Sequence, residues 1–106
     1  MRDISKLSKE EQNILQAIKT VIDPEVAVNI VDLGLIYEVH YHADNNHIHV
    51  VMTLSARGCP VGDTIMQHVE TVVKAHWPDC EVEVELVWEP QWNPEMITDD
   101  GKAALG

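Results

Sequence analysis

Near the start of the chain the apolar residues Ile14, Leu15, Ile18, Val21 and Ile22 recur at helical spacing. Ahead of them, Ser8-Lys9-Glu10-Glu11 has the spacing of a capping box, in which Ser8 and Glu11 satisfy each other's orphan amides. The pattern predicts a first helix from about Lys9 to Ile22, stopped at Asp23-Pro24 because proline disfavours the α region for the residue before it. Val26 to Leu33 is apolar without a clean period and reads as an ordered loop, with Asp32-Leu33-Gly34 as a turn. The period then changes to two. Val39 and Tyr41 alternate with Glu38, His40 and His42; beyond Asp44-Asn45-Asn46, the residues Ile48, Val50, Met52 and Leu54 alternate with His47 and His49. This is a hairpin, and if its apolar residues share one face, the pairing parity puts all four histidines on the other. Val61, Ile65, Met66, Val69, Val72 and Val73 form the stripe of a second helix, opening at Gly58-Cys59-Pro60 and ending at Trp77-Pro78. Glu81 to Trp88 alternates again, with Val82, Val84, Leu86 and Trp88 inward and Glu81, Glu83 and Glu85 outward. After Pro90-Gln91-Trp92-Asn93-Pro94, a short helical piece follows Thr98.

The order αββαβ predicts an α/β (α+β) chain in two layers, with two helices on one face of a small three-stranded mixed sheet and a short C-terminal helix. No repeat, low-complexity tract or linker divides it, so residues 1–106 read as a single domain. Apolar residues make up 45%, enough for one modest core.

Charge narrows the partners. Seven Lys+Arg against eighteen Asp+Glu give a formal net charge of −11, which repels a phosphate backbone and an anionic lipid surface. Neither nucleic acid nor membrane is an expected partner. No apolar run approaches the length of a membrane span and the first residues start no signal-peptide pattern. With two cysteines, Cys59 and Cys80, a reducing cytoplasm with free thiols is the expected setting.

Cys59 is the leading chemical candidate. Pro60 suits the first helical position, which would make Cys59 the N-cap, its sulfur near unpaired amides and the positive dipole end. Such a setting favours the thiolate that a nucleophile or a metal ligand requires. The plain alternative is a small buried cysteine that happens to precede a helix. Cys80 falls in the helix-to-strand turn and reads as structural or incidental. No C-x-x-C spacing supports a redox couple, and one chain cannot build a four-cysteine site. Other ligands would have to come from a second subunit, a client or a small thiol.

Asp23 and Glu25, with Asp32 nearby in sequence, either cap turns or orient Cys59 or a partner. Thr53 and Ser55 sit at the end of the strand leading to Cys59, as hydrogen-bonding groups or as ordinary strand residues. The histidine face has the H-x-H geometry of a divalent metal site, although such faces are commonly just solvated, with Glu81, Glu83 and Glu85 alongside as charge partners. Trp92 closes the edge of the core or anchors a partner.

Asp23-Pro24-Glu25, the stretch from Ile30 to Tyr37, Thr53 with Gly58-Cys59-Pro60, and Pro90-Gln91-Trp92 occur in the order and spacing of a known family. The chain resembles, over nearly its whole length, the metal–sulfur (iron–sulfur) cluster assembly factors typified by bacterial SufT. The resemblance implies the compact iron–sulfur assembly fold and an accessory role in iron–sulfur protein maturation, without enzymatic activity. It implies Cys59 as a transient ligand of iron or of an iron–sulfur cluster, with Asp23, Pro24, Glu25, Asp32, Thr53 and Pro60 as supporting motif positions. The implied partners are the assembly machinery and client apoproteins. Ser55 stands where the family usually has Thr.

Other roles are weaker. No G-x-x-x-x-G-K-[ST] is present, so the ATPase-fused carriers that bear this domain are not the expected class. An accessory subunit of a multicomponent ring oxygenase is expected to carry extra C-terminal cysteines, and none follows Cys80. A thiol enzyme needs a base, yet the nearest histidine in sequence, His68, lies about 13 Å along the helix from Cys59. A metal-free interaction adaptor remains the competing class. A homodimer is expected, because one cysteine cannot complete a cluster's ligand set.

Overall fold

The computed structural model describes residues 6–55, 57 and 61–106. Helix α1 spans Lys9–Ile18, and its capping box is formed as expected: the Glu11 amide donates to the Ser8 hydroxyl and the Ser8 amide to Glu11 Oε1. The helix stops four residues short of the expected end. Thr20, Val21 and Ile22 are consecutive β-branched residues, poor helix formers that suit extended backbone. They alternate exposed, buried, exposed into a buried Asp23, so the apolar spacing that reads as helical also fits period two. Pairing decides between them: β1 (Ile22–Asp23) runs antiparallel to β2 (Val28–Asn29), and the Ile30 amide donates to the Val21 carbonyl. The expected loop at Val26–Leu33 thus contains a two-residue strand and closes a second small sheet.

The main sheet has three strands, β3 (Ile36–His42), β4 (His47–Met52) and β5 (Glu81–Leu86), in the order β3-β4-β5. The hairpin pair is antiparallel; β4 and β5 are parallel, joined by α2 (Gly62–His76) as a crossover. A register shift between Ile36 and Glu38 keeps both Ile36 and Val39 buried. Helices α1 and α2 lie against each other and cover one sheet face, α1 over β3 and α2 over β5. Between the layers Ile14, Ile18, Ile48, Val50, Met52, Val69 and Val73 are fully buried, each contributing about 1.5–3 kcal/mol of transfer free energy. Cys80 is a core residue as well, buried within this cluster.

Helix α2 begins at Gly62, with Val61 as its cap residue, rather than with Cys59 as cap and Pro60 in the first turn. Its start follows the burial of Ile65, Val69 and Val73, with the Ile65 amide bonded to the Val61 carbonyl as the first turn. Cys59 and Pro60 themselves lie outside the described residues. The helix ends at His76, before Trp77-Pro78, as the sequence predicts. Strand β5 ends two residues early, at Leu86, and Trp88 packs partly buried against the core. The chain closes with a 3-10 turn (Pro94–Met96) and helix α3 (Asp99–Leu105), capped by the Thr98 hydroxyl.

Candidate functional site

Among the described residues the buried polar side chains are Asp23, Asp32 and Thr53. All three are positions that the sequence resemblance singles out, and the segments that carry them are stitched together through the backbone. Ile30 donates to Val21, Leu35 to Ile30, and Thr53 to Leu35, so one lateral hydrogen-bond path runs from the small sheet to the exit of β4. Thr53 is fully buried at that exit. Its hydroxyl has a long 3.4 Å contact with the Leu54 carbonyl.

Asp23 serves its own turn: Oδ1 accepts from the Glu25 amide at 2.8 Å, and its carbonyl accepts from Ala27. Pro24 and Glu25 lie exposed on this turn. Asp32 is bound from several sides. Oδ2 accepts from the Asn29 side-chain amide at 2.7 Å and Oδ1 from the Thr98 hydroxyl at 3.0 Å, with Lys19 Nζ 3.9 Å away. The Asp32 amide in turn donates to Asn29 Oδ1 at 2.8 Å. A carboxylate with both oxygens engaged in this way organises its surroundings.

The turn Asp32-Leu33-Gly34 is where the C-terminal segment docks. The Thr98 amide donates to the Asp32 carbonyl, and Gly101 packs so close to that carbonyl that a Cβ would collide with it. The Trp92 indole donates to the Leu33 carbonyl at 2.8 Å, which ties Trp92 to the edge of its own core. Gly34 has φ +81°, and a Cβ there would run into the Met96 carbonyl. Three successive residues thus each hold a different part of the tail. The sequence marks this segment as a turn but carries no local sign of its partners, which lie 59 and 66 positions away. Asn29, Tyr37 and Thr98 are the site residues that sequence reasoning does not single out for these roles. Tyr37 donates to the Pro90 carbonyl at 2.7 Å, fastening the tail where it leaves the sheet.

Beyond Thr53 the chain leads through Leu54 and exposed Ser55 towards Cys59. Arg57, two residues before Cys59, lies with its guanidinium 4.5 Å from the centre of the Trp88 ring. Thr53 thus stands at the β4 exit, from which the chain runs on in sequence to Cys59, whereas Asp32 stands in the turn that docks the tail.

The chain belongs to the iron–sulfur cluster assembly protein family typified by SufT, whose family model matches residues 11–85. It is 40% identical over 96 residues to an Fe-S protein maturation auxiliary factor of Porphyromonas gingivalis, covering 91% of this chain and 90% of that protein. To the Fe-S protein maturation auxiliary factor SufT of Staphylococcus aureus it is 44% identical over 87 residues, covering 81% and 97%. The fold matches the crystal structure of a domain of unknown function from Bacillus anthracis with a TM-score of 0.85 at 38% identity, covering 91% of each chain. The two-layer α+β architecture expected from the sequence is thus that of its family. Among the described residues, no helix is long and apolar enough to cross a membrane.

Proposed function

We propose that this chain is an accessory factor in the maturation of iron–sulfur proteins, a carrier or docking protein rather than an enzyme. Iron or an iron–sulfur cluster is its cargo, held transiently through Cys59 and passed to client apoproteins in the cytoplasm. The observation that supports this reading is that Asp23, Asp32 and Thr53, positions that the sequence resemblance singles out, are the buried polar side chains of the described residues. Asp23 and Asp32 brace the small sheet and the docked tail, and Thr53 stands at the β4 exit, from which the chain runs on in sequence to Cys59. The relatives named as maturation auxiliary factors support the accessory role over nearly their full length. Because one thiolate leaves most of a cluster's ligand set unfilled, a second copy or a client completes it.

Complementation tests the proposal. In cells lacking the chain, the wild-type protein restores the activity of a cluster-dependent dehydratase, and Cys59→Ser, folded and equally abundant, does not. Full restoration by the serine variant would remove the thiol from the mechanism and leave a metal-free adaptor.

A further inference from the structure

The sheet face opposite the two helices carries a square of imidazoles. His40 and His49 are register partners on β3 and β4, as are His42 and His47, and neighbouring ring centres lie 5.8–6.4 Å apart. The parallel partner β5 adds a row of carboxylates on the same face, with Glu83 opposite His49 and Glu81 opposite His47. His49 Nε2 lies 2.8 Å from Glu85 Oε1 and 3.8 Å from Glu83 Oε2, while Glu83 Oε1 lies 3.3 Å from His47 Nε2.

One nitrogen of His49 therefore faces two carboxylates. A ring N–H donates a single linear hydrogen bond, so it serves Glu85 and leaves Glu83 without an equal partner at that atom. The ligand atoms of His49, Glu83 and Glu85 all lie within 4.8 Å of one another, on a chain whose formal net charge is −11. A divalent cation satisfies all three at once. Bonds of about 2.1 Å in a tetrahedral zinc-type site place ligand atoms about 3.4 Å apart. The His49–Glu85 and His49–Glu83 separations of 2.8 and 3.8 Å bracket that value before any adjustment.

We propose that His49, Glu83 and Glu85 form a surface site for one divalent first-row transition cation, with His47, 3.3 Å from the other Glu83 oxygen, as an adjacent donor. Imidazole with carboxylate suits zinc, iron(II) and their neighbours rather than magnesium or calcium, which take oxygen ligands. The site opens onto a cleft of about 920 Å³ that His49 and Glu85 help to line, together with Glu38, Tyr37, Val51 and Met96. A donor or acceptor of the metal can therefore approach from solvent. The proposal is independent of Cys59 and of the maturation role.

Cobalt(II) titration of the Cys59→Ser chain, followed by visible absorption and calorimetry, tests it. The expected result is one equivalent bound, with ligand-field bands and no sulfur-to-cobalt charge-transfer band. His49→Gln and Glu85→Gln should each weaken binding by at least the roughly tenfold cost of losing even an outer-shell partner, His47→Gln should weaken it less, and His68→Gln on helix α2 should leave it unchanged. Glu85 is half-exposed, so its variant carries the test even if His49→Gln does not fold. No saturable binding in the Cys59→Ser chain overturns the site. Unchanged affinity in the Glu85→Gln protein does the same.

Discussion

Thr98 and Asp32, 66 positions apart, are joined twice: the Thr98 hydroxyl donates to Asp32 Oδ1 at 3.0 Å and its amide to the Asp32 carbonyl at 2.8 Å. The same hydroxyl accepts from the Gly101 amide, so capping α3 and docking it are one arrangement. Asp32→Ala, which also strands the Asn29 amide, is expected to cost about 2–3 kcal/mol. Thr98→Ala should cost about 1–2 kcal/mol and Thr98→Ser much less. Urea denaturation of the three variants checks this order, and a double-mutant cycle should show the two sites coupled.

Gly34 is held at φ +81° against the Met96 carbonyl, so Gly34→Ala meets both backbone strain and a collision. A loss of about 1–3 kcal/mol is expected, concentrated on the tail. Limited trypsin digestion reads it out, with cleavage after Lys102 becoming faster than in the wild type. Unchanged cleavage and stability would show that the Gly34 contact does not hold the tail.

Glu11 ties α1 to the edge of the sheet. Burial alone would raise its carboxyl, but the Ser8 and Tyr41 amides and the Ser8 hydroxyl donate to it, with His40 nearby, and together hold it below its ordinary 4.5. A carboxylate lowered in the native state contributes stability that is full above its unfolded-state value and is lost as pH falls through the native one. Relative to wild type, Glu11→Gln should therefore have a lower Tm at neutral pH. The gap should narrow once the pH falls below about 4.5, the ordinary value. A gap independent of pH would separate Glu11's contribution from its charge.

Cys80 is 5% exposed and packed in the core, and it serves as an internal control for Cys59. Alkylation of the native protein, followed by peptide mapping, should label Cys59 well before Cys80, with Cys80 reacting at the rate of unfolding. Equal rates would remove the argument for an accessible, reactive Cys59.

A homodimer at working concentration is expected from the incomplete ligand set of one thiol. Sedimentation with and without reductant measures it. A reductant-insensitive monomer at high protein concentration would assign the missing ligands to clients or small thiols.

Features written into neighbouring residues were legible in the sequence. The capping box of Ser8 and Glu11 needs only their spacing, and the alternation on either side of Asp44-Asn45-Asn46 was enough to put four imidazoles on one face. The class of fold followed from the order of these elements. The end of α1 was not legible, because Val21 and Ile22 fit a helical stripe and a strand equally well until β2 supplies a partner. The start of α2 was misplaced towards Cys59, since proline marks where a helix can begin and the burial of Ile65 and Val69 marks where it does.

The candidate site divides in the same way. Period and parity by themselves determined the histidine face and the outward row of Glu81, Glu83 and Glu85. Only the tertiary structure decided that β5 lies beside β4, parallel and in the register that brings Glu83 and Glu85 to His49. Likewise the sequence marks Asp32-Leu33-Gly34 as a turn, but the bonds from Thr98 and Trp92 and the contact with Met96 depend on a chain that has already folded back on itself. Local patterns record what a residue's near neighbours require, whereas contacts closed across most of the chain leave no periodic trace and exist only once the core has fixed where the segments lie.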